Sequence, residues 1–168
     1  MGISVFAFVC YVLSLVVYVT YVVVCKLRYK EKMDCISSTY YLNKRKWVFT
    51  LFIAFISFFL LPSWLEISGE NYAFLAFLSV VSMLGVGIFP RYLEDDRAKH
   101  IASVFVSAII SIIWNIVSGV YLPILIGVAL LLITKLFFPK KDLTLMAEIA
   151  AFLNIYASIL LSAFNLTF

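Results

Sequence analysis

The sequence predicts an all-α polytopic membrane protein: six transmembrane helices in one bundle, with both termini outside. Three observations carry this reading. Hydrophobic residues make up 65% of the 168 positions and charged residues 13%, with a mean hydropathy of +1.10. Ordinary soluble domains are about 45–50% apolar and about 25% charged. A water-soluble chain of this length has no interior large enough for so much Phe, Leu, Ile and Val. Second, the apolar residues fall into six runs. Third, all thirteen Lys and Arg lie in three short stretches between those runs: Lys26–Lys46, Arg91–Lys99 and Lys135–Lys141. If each run crosses a bilayer once, every cation lands on one side, which is the positive-inside bias in an extreme form. The basic loops are then cytoplasmic and the expected location is the plasma membrane.

The elements follow in order, within a single domain over residues 1–168. The first run, Ile3–Cys25, predicts a helix over 3–25 that Lys26, Arg28, Lys30 and Lys32 close. At 1.5 Å per residue it spans the roughly 30 Å hydrocarbon core. It does not read as a cleaved signal peptide, because no cation precedes it, the apolar stretch is too long, and no small-x-small site follows. The second run predicts a helix over 47–65, with Trp47 and Trp64 near its ends, where indoles suit the membrane interface. The third predicts a helix over 72–90, separated from the second only by Glu66–Asn71, so the two form a tight hairpin.

Helices four and five, over 101–117 and 121–138, meet at Ser118-Gly119-Val120. Ser118-Gly119 supplies turn chemistry and Pro123 suits the first turn of a helix. An unbroken run of about 38 residues would also overshoot a bilayer nearly twofold. The sixth helix, over 143–167, follows the turn Pro139–Asp142, with Asp142 as its N-cap. The outer loops are short and carry only Glu66 and Glu70, which excludes a receptor-like ectodomain. Lys26–Lys46 is the one long loop and offers a cytosolic contact surface.

Several function classes drop out. The net charge of +4 sits in membrane-flanking loops as a topology signal, so it is no argument for nucleic acid. Cys10, Cys25 and Cys35 are too scattered for a metal knuckle, and their compartment argues against a structural disulfide. Cys25, beside the membrane, reads as a buried thiol in preference to an acylation site. No P-loop, dinucleotide fingerprint, zinc-protease or nucleophile-elbow motif occurs, and no cofactor is expected. Asn165-Leu166-Thr167 fits the glycosylation pattern but abuts the membrane.

What remains is the placement of polar residues inside the runs. In the fourth helix Ser103, Ser107, Ser111, Asn115 and Ser118 share an arc of about 120°. In the sixth, Ala147, Ala151, Asn154, Ser158, Ser162 and Asn165 share about 80°. Small and polar stripes let helix backbones approach and hydrogen-bond. One reading is a packing seam between these two helices. The sharper one is a cavity, opening outward, that accepts a small polar solute or lipid headgroup through Asn115, Asn154, Ser111, Ser158 and Glu148. Glu148 is the only acid inside a predicted span, and such a group normally faces the bundle interior or a partner. Lys135 lies at similar depth across the 139–142 turn, so a Lys135–Glu148 ion pair, or a Lys135 that snorkels, is the structural alternative to a proton-carrying or catalytic glutamate.

A third feature runs from Gly85 to His100. Gly85 and Gly87 thin the end of the third helix, Pro90 ends it, and a charged loop leads to the chain's only histidine. Asp95, Asp96 and His100, with Glu148, supply enough donors for a metal in principle. A charge run at a membrane interface is more simply a solvated loop. The element Gly87-Ile88-Phe89-Pro90, a short polar loop, and His100 opening a helix with Ala102 and Ser103 resemble an uncharacterised bacterial six-helix membrane family, distantly similar to the DRAM/Frag group. The resemblance covers about thirty residues, departs from the family at Glu94-Asp95-Asp96, and implies the fold without a reaction. The alkaline-ceramidase and progestin-receptor superfamily has several histidines that this chain lacks.

The expected function is a non-enzymatic membrane protein that binds or transports a small polar solute or lipid headgroup between helices four and six. The alternatives are a membrane-embedded metal-dependent hydrolase and an accessory subunit of a larger membrane complex. The expected partners are the lipid bilayer and either a second copy or another membrane protein.

Overall fold

The computed structural model describes residues 3–89, 94–137 and 143–165, with the backbone alone at 94–96. Every regular element among the described residues is helical: α1 (Val5–Tyr29), α2 (Thr39–Leu42), α3 (Trp47–Ile88), α4 (Glu94–Val117), α5 (Leu122–Phe137) and α6 (Thr144–Ala163), with a 3-10 turn at Lys30–Lys32. Four of these helices are long and apolar enough to cross a membrane, and α5 is a shorter apolar helix. That agrees with a multi-pass membrane protein.

Helix α3 has 42 residues, so a straight rod would run to roughly 63 Å. It does not run straight. Gly69 stands at φ +57° with non-helical ψ, and the chain reverses there. The hydroxyl of Thr50 donates to the Gly87 carbonyl at 2.8 Å, 37 residues away. The two arms, 47–68 and 70–88, are therefore an antiparallel hairpin. The expected loop Glu66–Asn71 contracts to one residue, because glycine takes positive φ without the Cβ clash that stops other residues.

The break expected at 118–120 is present, and its geometry explains it. Gly119 has φ +71°. Val120 N–H donates to the Asn115 carbonyl at 2.8 Å, and Gly119 N–H donates to that of Ile116 at 3.2 Å. This is the Schellman arrangement, which satisfies carbonyls at a helix end and favours an apolar residue just beyond it. Val120 is that residue and is buried.

Antiparallel registers hold the bundle together. Between α1 and the first arm of α3, Ser4 bonds the Glu66 carboxylate, the Ser63 hydroxyl donates to Ala7 O at 2.6 Å, and the Ser14 hydroxyl donates to Ile56 O at 2.9 Å. Between the second arm and α4, Ser79 and Ser107 each donate to the other's carbonyl at 3.1 Å. Trp114 Nε1 donates to the Ser68 hydroxyl at 2.8 Å. Helix α6 sits among the others. It meets α1 where the Tyr11 hydroxyl donates to Tyr156 O at 3.1 Å and where Ser14 and Tyr156 share a bond of 2.7 Å. Helix α5 rests on α6 rather than on α4. The outside is densely apolar: Phe58, Phe74, Phe105, Leu136 and Phe137 are all well exposed.

Three expectations change at the level of elements. Helix α4 begins at Glu94, not at 101, so residues 94–100 of the stretch expected as a polar loop are helical. Acidic residue types in a first turn favour that extension, because they complement the positive end of the helix dipole. Trp64 points into the bundle rather than outward to a membrane interface. It is buried edge-on against Trp114, with ring centroids 5.8 Å apart. Helix α6 ends at Ala163, and Asn165 beyond it has φ +54°, a C-terminal conformation that asparagine tolerates. Residues 166–168, and with them most of the glycosylation tripeptide, lie outside the described residues.

Candidate functional site

The polar stripes of α4 and α6 do converge, but on different partners. Asn115 Nδ2 donates to Asn154 Oδ1 at 2.9 Å, and both residues are buried. Two of the proposed binding residues thus meet directly and close the seam between the helices. Ser107 turns instead to Ser79 on α3, and Gly85 accommodates Ser103, whose Oγ stands 2.5 Å from the place a Cβ would take. Ser111 donates to Ala108 O at 2.8 Å and Ser158 to Asn154 O, both within their own helices. Among the described residues the buried Asn115 side-chain oxygen has no hydrogen-bond partner.

Beside the seam lies a cleft of about 170 Å³. Its floor is the small-residue face of α6, Ala147, Ala150 and Ala151, with Asn154 at one end. One wall is α4, through Ser111 and Ile112, and the other is α5, through Pro123, Gly127 and Val128. Ile112 and Val128 are 38% and 51% exposed, so the cleft opens sideways between α4 and α5 toward the apolar outside. Apart from Ser111 and Asn154 its lining is hydrocarbon.

A smaller cavity of about 60 Å³ lies nearer the basic end, between both arms of α3, α4, α6 and the segment after α1. Ser37, Ser107 and Glu148 are its polar lining, and Ala108 and Ala151 line both cavities.

Glu148 takes its partners from an unexpected place. Its carboxylate accepts the N–H groups of Ile36 and Ser37 and, at 2.8 Å, the Ser37 hydroxyl. The expected ion pair with Lys135 is not formed among the described residues: Lys135 is exposed on α5. Two adjacent N–H groups and a hydroxyl can compensate a carboxylate as a cation does, because hydrogen bonds to ionised acceptors are the strong ones. The loop they come from is folded inward. Met33, Cys35, Ile36, Ser37, Ser38 and Thr39 are all buried, and Thr39 Oγ1 is tied to the Tyr21 hydroxyl at 2.7 Å. The loop expected to offer a cytosolic surface is in part a plug. Cys25 is buried too, as expected of a packed thiol.

Comparison with known protein families, with curated proteins and with solved structures gives no match. The resemblance at Gly87–Pro90 is neither supported nor opposed by it. The geometry there is specific all the same. Gly87 faces Ile53, whose Cβ lies 2.9 Å from where a Cβ on the glycine would stand. His100 is buried, and its Nδ1 bonds the Phe89 carbonyl at 2.8 Å. A carbonyl only accepts, so Nδ1 carries a proton and the ring ties the start of α4 to the end of α3. Of the residues named for a metal, the side chains of Asp95 and Asp96 lie outside the described residues. Among those described, no group of three His, Cys, Asp or Glu side chains is placed to hold a metal.

Sequence reasoning missed the inward loop. A signal was available: Met33–Asn43 holds no cation, although four lie between Lys26 and Lys32 and three between Lys44 and Lys46.

Proposed function

We propose that this chain is a non-enzymatic integral membrane protein that binds the acyl portion of a lipid in the cleft between α4, α5 and α6. In this reading the two arms of α3 cross separately, giving six spans, with the basic loops cytoplasmic and both ends of the chain on the opposite side. The thirteen cations in three alternate stretches support that topology. The observation that carries the function is the cleft itself: about 170 Å³, apolar, floored by alanines and open sideways. An engineered apolar cavity of about 150 Å³ already takes up benzene, so this space suits a segment of hydrocarbon chain. A small polar solute is less suited, because Ser111 and Asn154 are the only polar side chains in the lining and Asn154 Oδ1 already accepts from Asn115. Bilayer lipid is also the occupant that a lateral opening meets first.

The test is photolabelling in vesicles with a phospholipid that carries a diazirine on its acyl chain. Label is expected on Ile112, Val128 and Leu131, above that on the more exposed Phe58. Gly127→Leu, which grows a side chain into the cleft, and Ile112→Trp at its mouth should each remove it. Uniform labelling of all lipid-facing residues, unchanged by both substitutions, refutes the site.

A further inference from the structure

The basic residues are not all placed alike. Lys26–Lys32 contains Glu31 and is followed by Asp34, Arg97 and Lys99 follow Glu94, Asp95 and Asp96, and Lys141 precedes Asp142. Lys44, Arg45 and Lys46 are consecutive, and no Asp or Glu occurs from Cys35 to Leu65. A topology signal needs cations on one side of the membrane and asks nothing of their grouping. All three are exposed, and the next residue is Trp47, the first of α3, which is 53% exposed. We infer that Lys44, Arg45, Lys46 and Trp47 form a docking surface for the headgroup of an anionic phospholipid. The inference rests on the membrane placement proposed above and is independent of the acyl cleft.

The segment is held from both sides. The Tyr29 hydroxyl donates to Asn43 Oδ1 at 2.7 Å, and Asn43 Nδ2 donates to the Tyr21 hydroxyl at 3.2 Å, so the residue before Lys44 is tied to α1. Beyond Trp47, Phe49 and Phe52 are buried, and the Phe52 ring stacks on Tyr21 with centroids 3.8 Å apart. Lys46 Nζ stands 5.7 Å and 6.0 Å from the ring centroids of Tyr40 and Tyr41, within cation–π range. Lys99 comes to the same end of the hairpin. Thr50 bonds the Gly87 carbonyl, and Lys99 Nζ lies 5.5 Å over the ring of Phe89, two residues farther on.

Cations clustered just outside an apolar helix attract anionic lipid, and a guanidinium pairs with phosphate oxygens through two parallel hydrogen bonds. Trp47 decides for a lipid over an acidic protein. Helix α3 is apolar enough to cross a membrane, and an exposed indole at the end of such a helix sits at headgroup level, beside the phosphates.

The experiment reads Trp47 directly. Of the three tryptophans, Trp64 and Trp114 are 1% and 0% exposed, so bromine on lipid chains quenches chiefly Trp47. The whole protein is reconstituted in phosphatidylcholine with a minor share of phosphatidylglycerol. In one preparation all the phosphatidylglycerol is brominated; in the other an equal amount of phosphatidylcholine is. Bromine on phosphatidylglycerol is expected to quench about twofold more or better, and the excess should shrink at high salt. In Lys44→Gln/Arg45→Gln/Lys46→Gln the two preparations should quench alike, while Lys30→Gln/Lys32→Gln should keep the preference. Equal quenching in the wild type overturns the headgroup site. So does a preference that survives the triple substitution, or one that both variants lose to the same extent. Absence of quenching in both preparations overturns the membrane placement as well.

Discussion

The hydroxyl of Ser37 donates to the carboxylate of Glu148 at 2.8 Å, 111 residues away, and the amide of the same serine faces the same carboxylate. An acid expected to need a lysine has found backbone donors. The loop that supplies them thereby becomes part of the bundle wall.

Removing the acceptor should release that loop. Each hydrogen bond to a charged group is worth about 1.5–3 kcal/mol, so Glu148→Ala should loosen residues 33–39 markedly. Glu148→Gln, which keeps an acceptor oxygen, should loosen them less. Cys35 is fully buried in the loop and reports on it directly. Its rate of reaction with a maleimide, in a Cys10→Ala, Cys25→Ala background, should rise in the order wild type, Gln, Ala. Equal rates in all three would mean that other contacts hold the loop.

Lys135 provides the contrast. Lys135→Met should leave thermal stability in detergent within about 0.5 kcal/mol of wild type, as exposed substitutions usually do. Combined with Glu148→Gln it should restore nothing, because it removes no orphaned partner. A coupling above about 1 kcal/mol between the two positions would bring the ion pair back.

The two glycines near the end of α3 should differ. At Gly85 a methyl group meets the Ser103 hydroxyl, the end of a short side chain that can rotate away. At Gly87 it meets the branched Cβ of Ile53, which cannot move without the helix. Overpacking of this kind costs typically about 1–3 kcal/mol. Gly87→Ala should therefore lower the melting temperature clearly more than Gly85→Ala, and the reverse order would contradict the arm-to-arm packing.

Gly69 and Gly119 test the backbone alone. A Cβ at either site has nothing within 4 Å, so Gly→Ala meets no steric obstacle. What remains is the backbone: Gly119 takes a helix-capping positive φ, which costs an L-residue about 1–2 kcal/mol, whereas Gly69 at φ +57°, ψ −167° lies in a region that essentially only glycine adopts. Gly119→Ala should lose about that much in unfolding stability, Gly69→Ala should lose more, and Gly69→Asn should recover little of it.

The Asn115–Asn154 bond should prove modest. Interhelical hydrogen bonds in membranes average about 0.6 kcal/mol, so a double-mutant cycle with alanine at both positions should give a coupling of that order. Asn154→Leu should cost more than Asn154→Ala, because bulk enters a close contact.

The apolar runs were readable because lipid imposes length and polarity on each helix separately. The reversal near Gly69 was readable because a short polar stretch, Glu66–Asn71, parts two apolar runs, and the break at Gly119 because Ser-Gly supplies turn chemistry. The Asn115–Asn154 contact was legible from stripe spacing alone. Other features depended on where distant segments meet. Ser107 shares an arc with Asn115 yet faces Ser79, since the α4 stripe is wide enough to serve two neighbours. Glu148 was matched to the nearest lysine across a turn, while backbone N–H groups, which every residue carries, left no mark in the sequence. The start of α4 at Glu94 was obscured because an acidic first turn and a solvated charged loop have the same composition.

The turn at Gly69 has one more implication. With helix running up to Ser68 and resuming at Glu70, that end of the hairpin has no slack. A protease needs several residues in extended form to thread its cleft, and here it would first have to unwind both arms. An epitope tag or glycan acceptor inserted at this point would meet the same resistance. The tip of α3 is thus a poor place to handle the protein from that side of the membrane, however accessible it is to solvent.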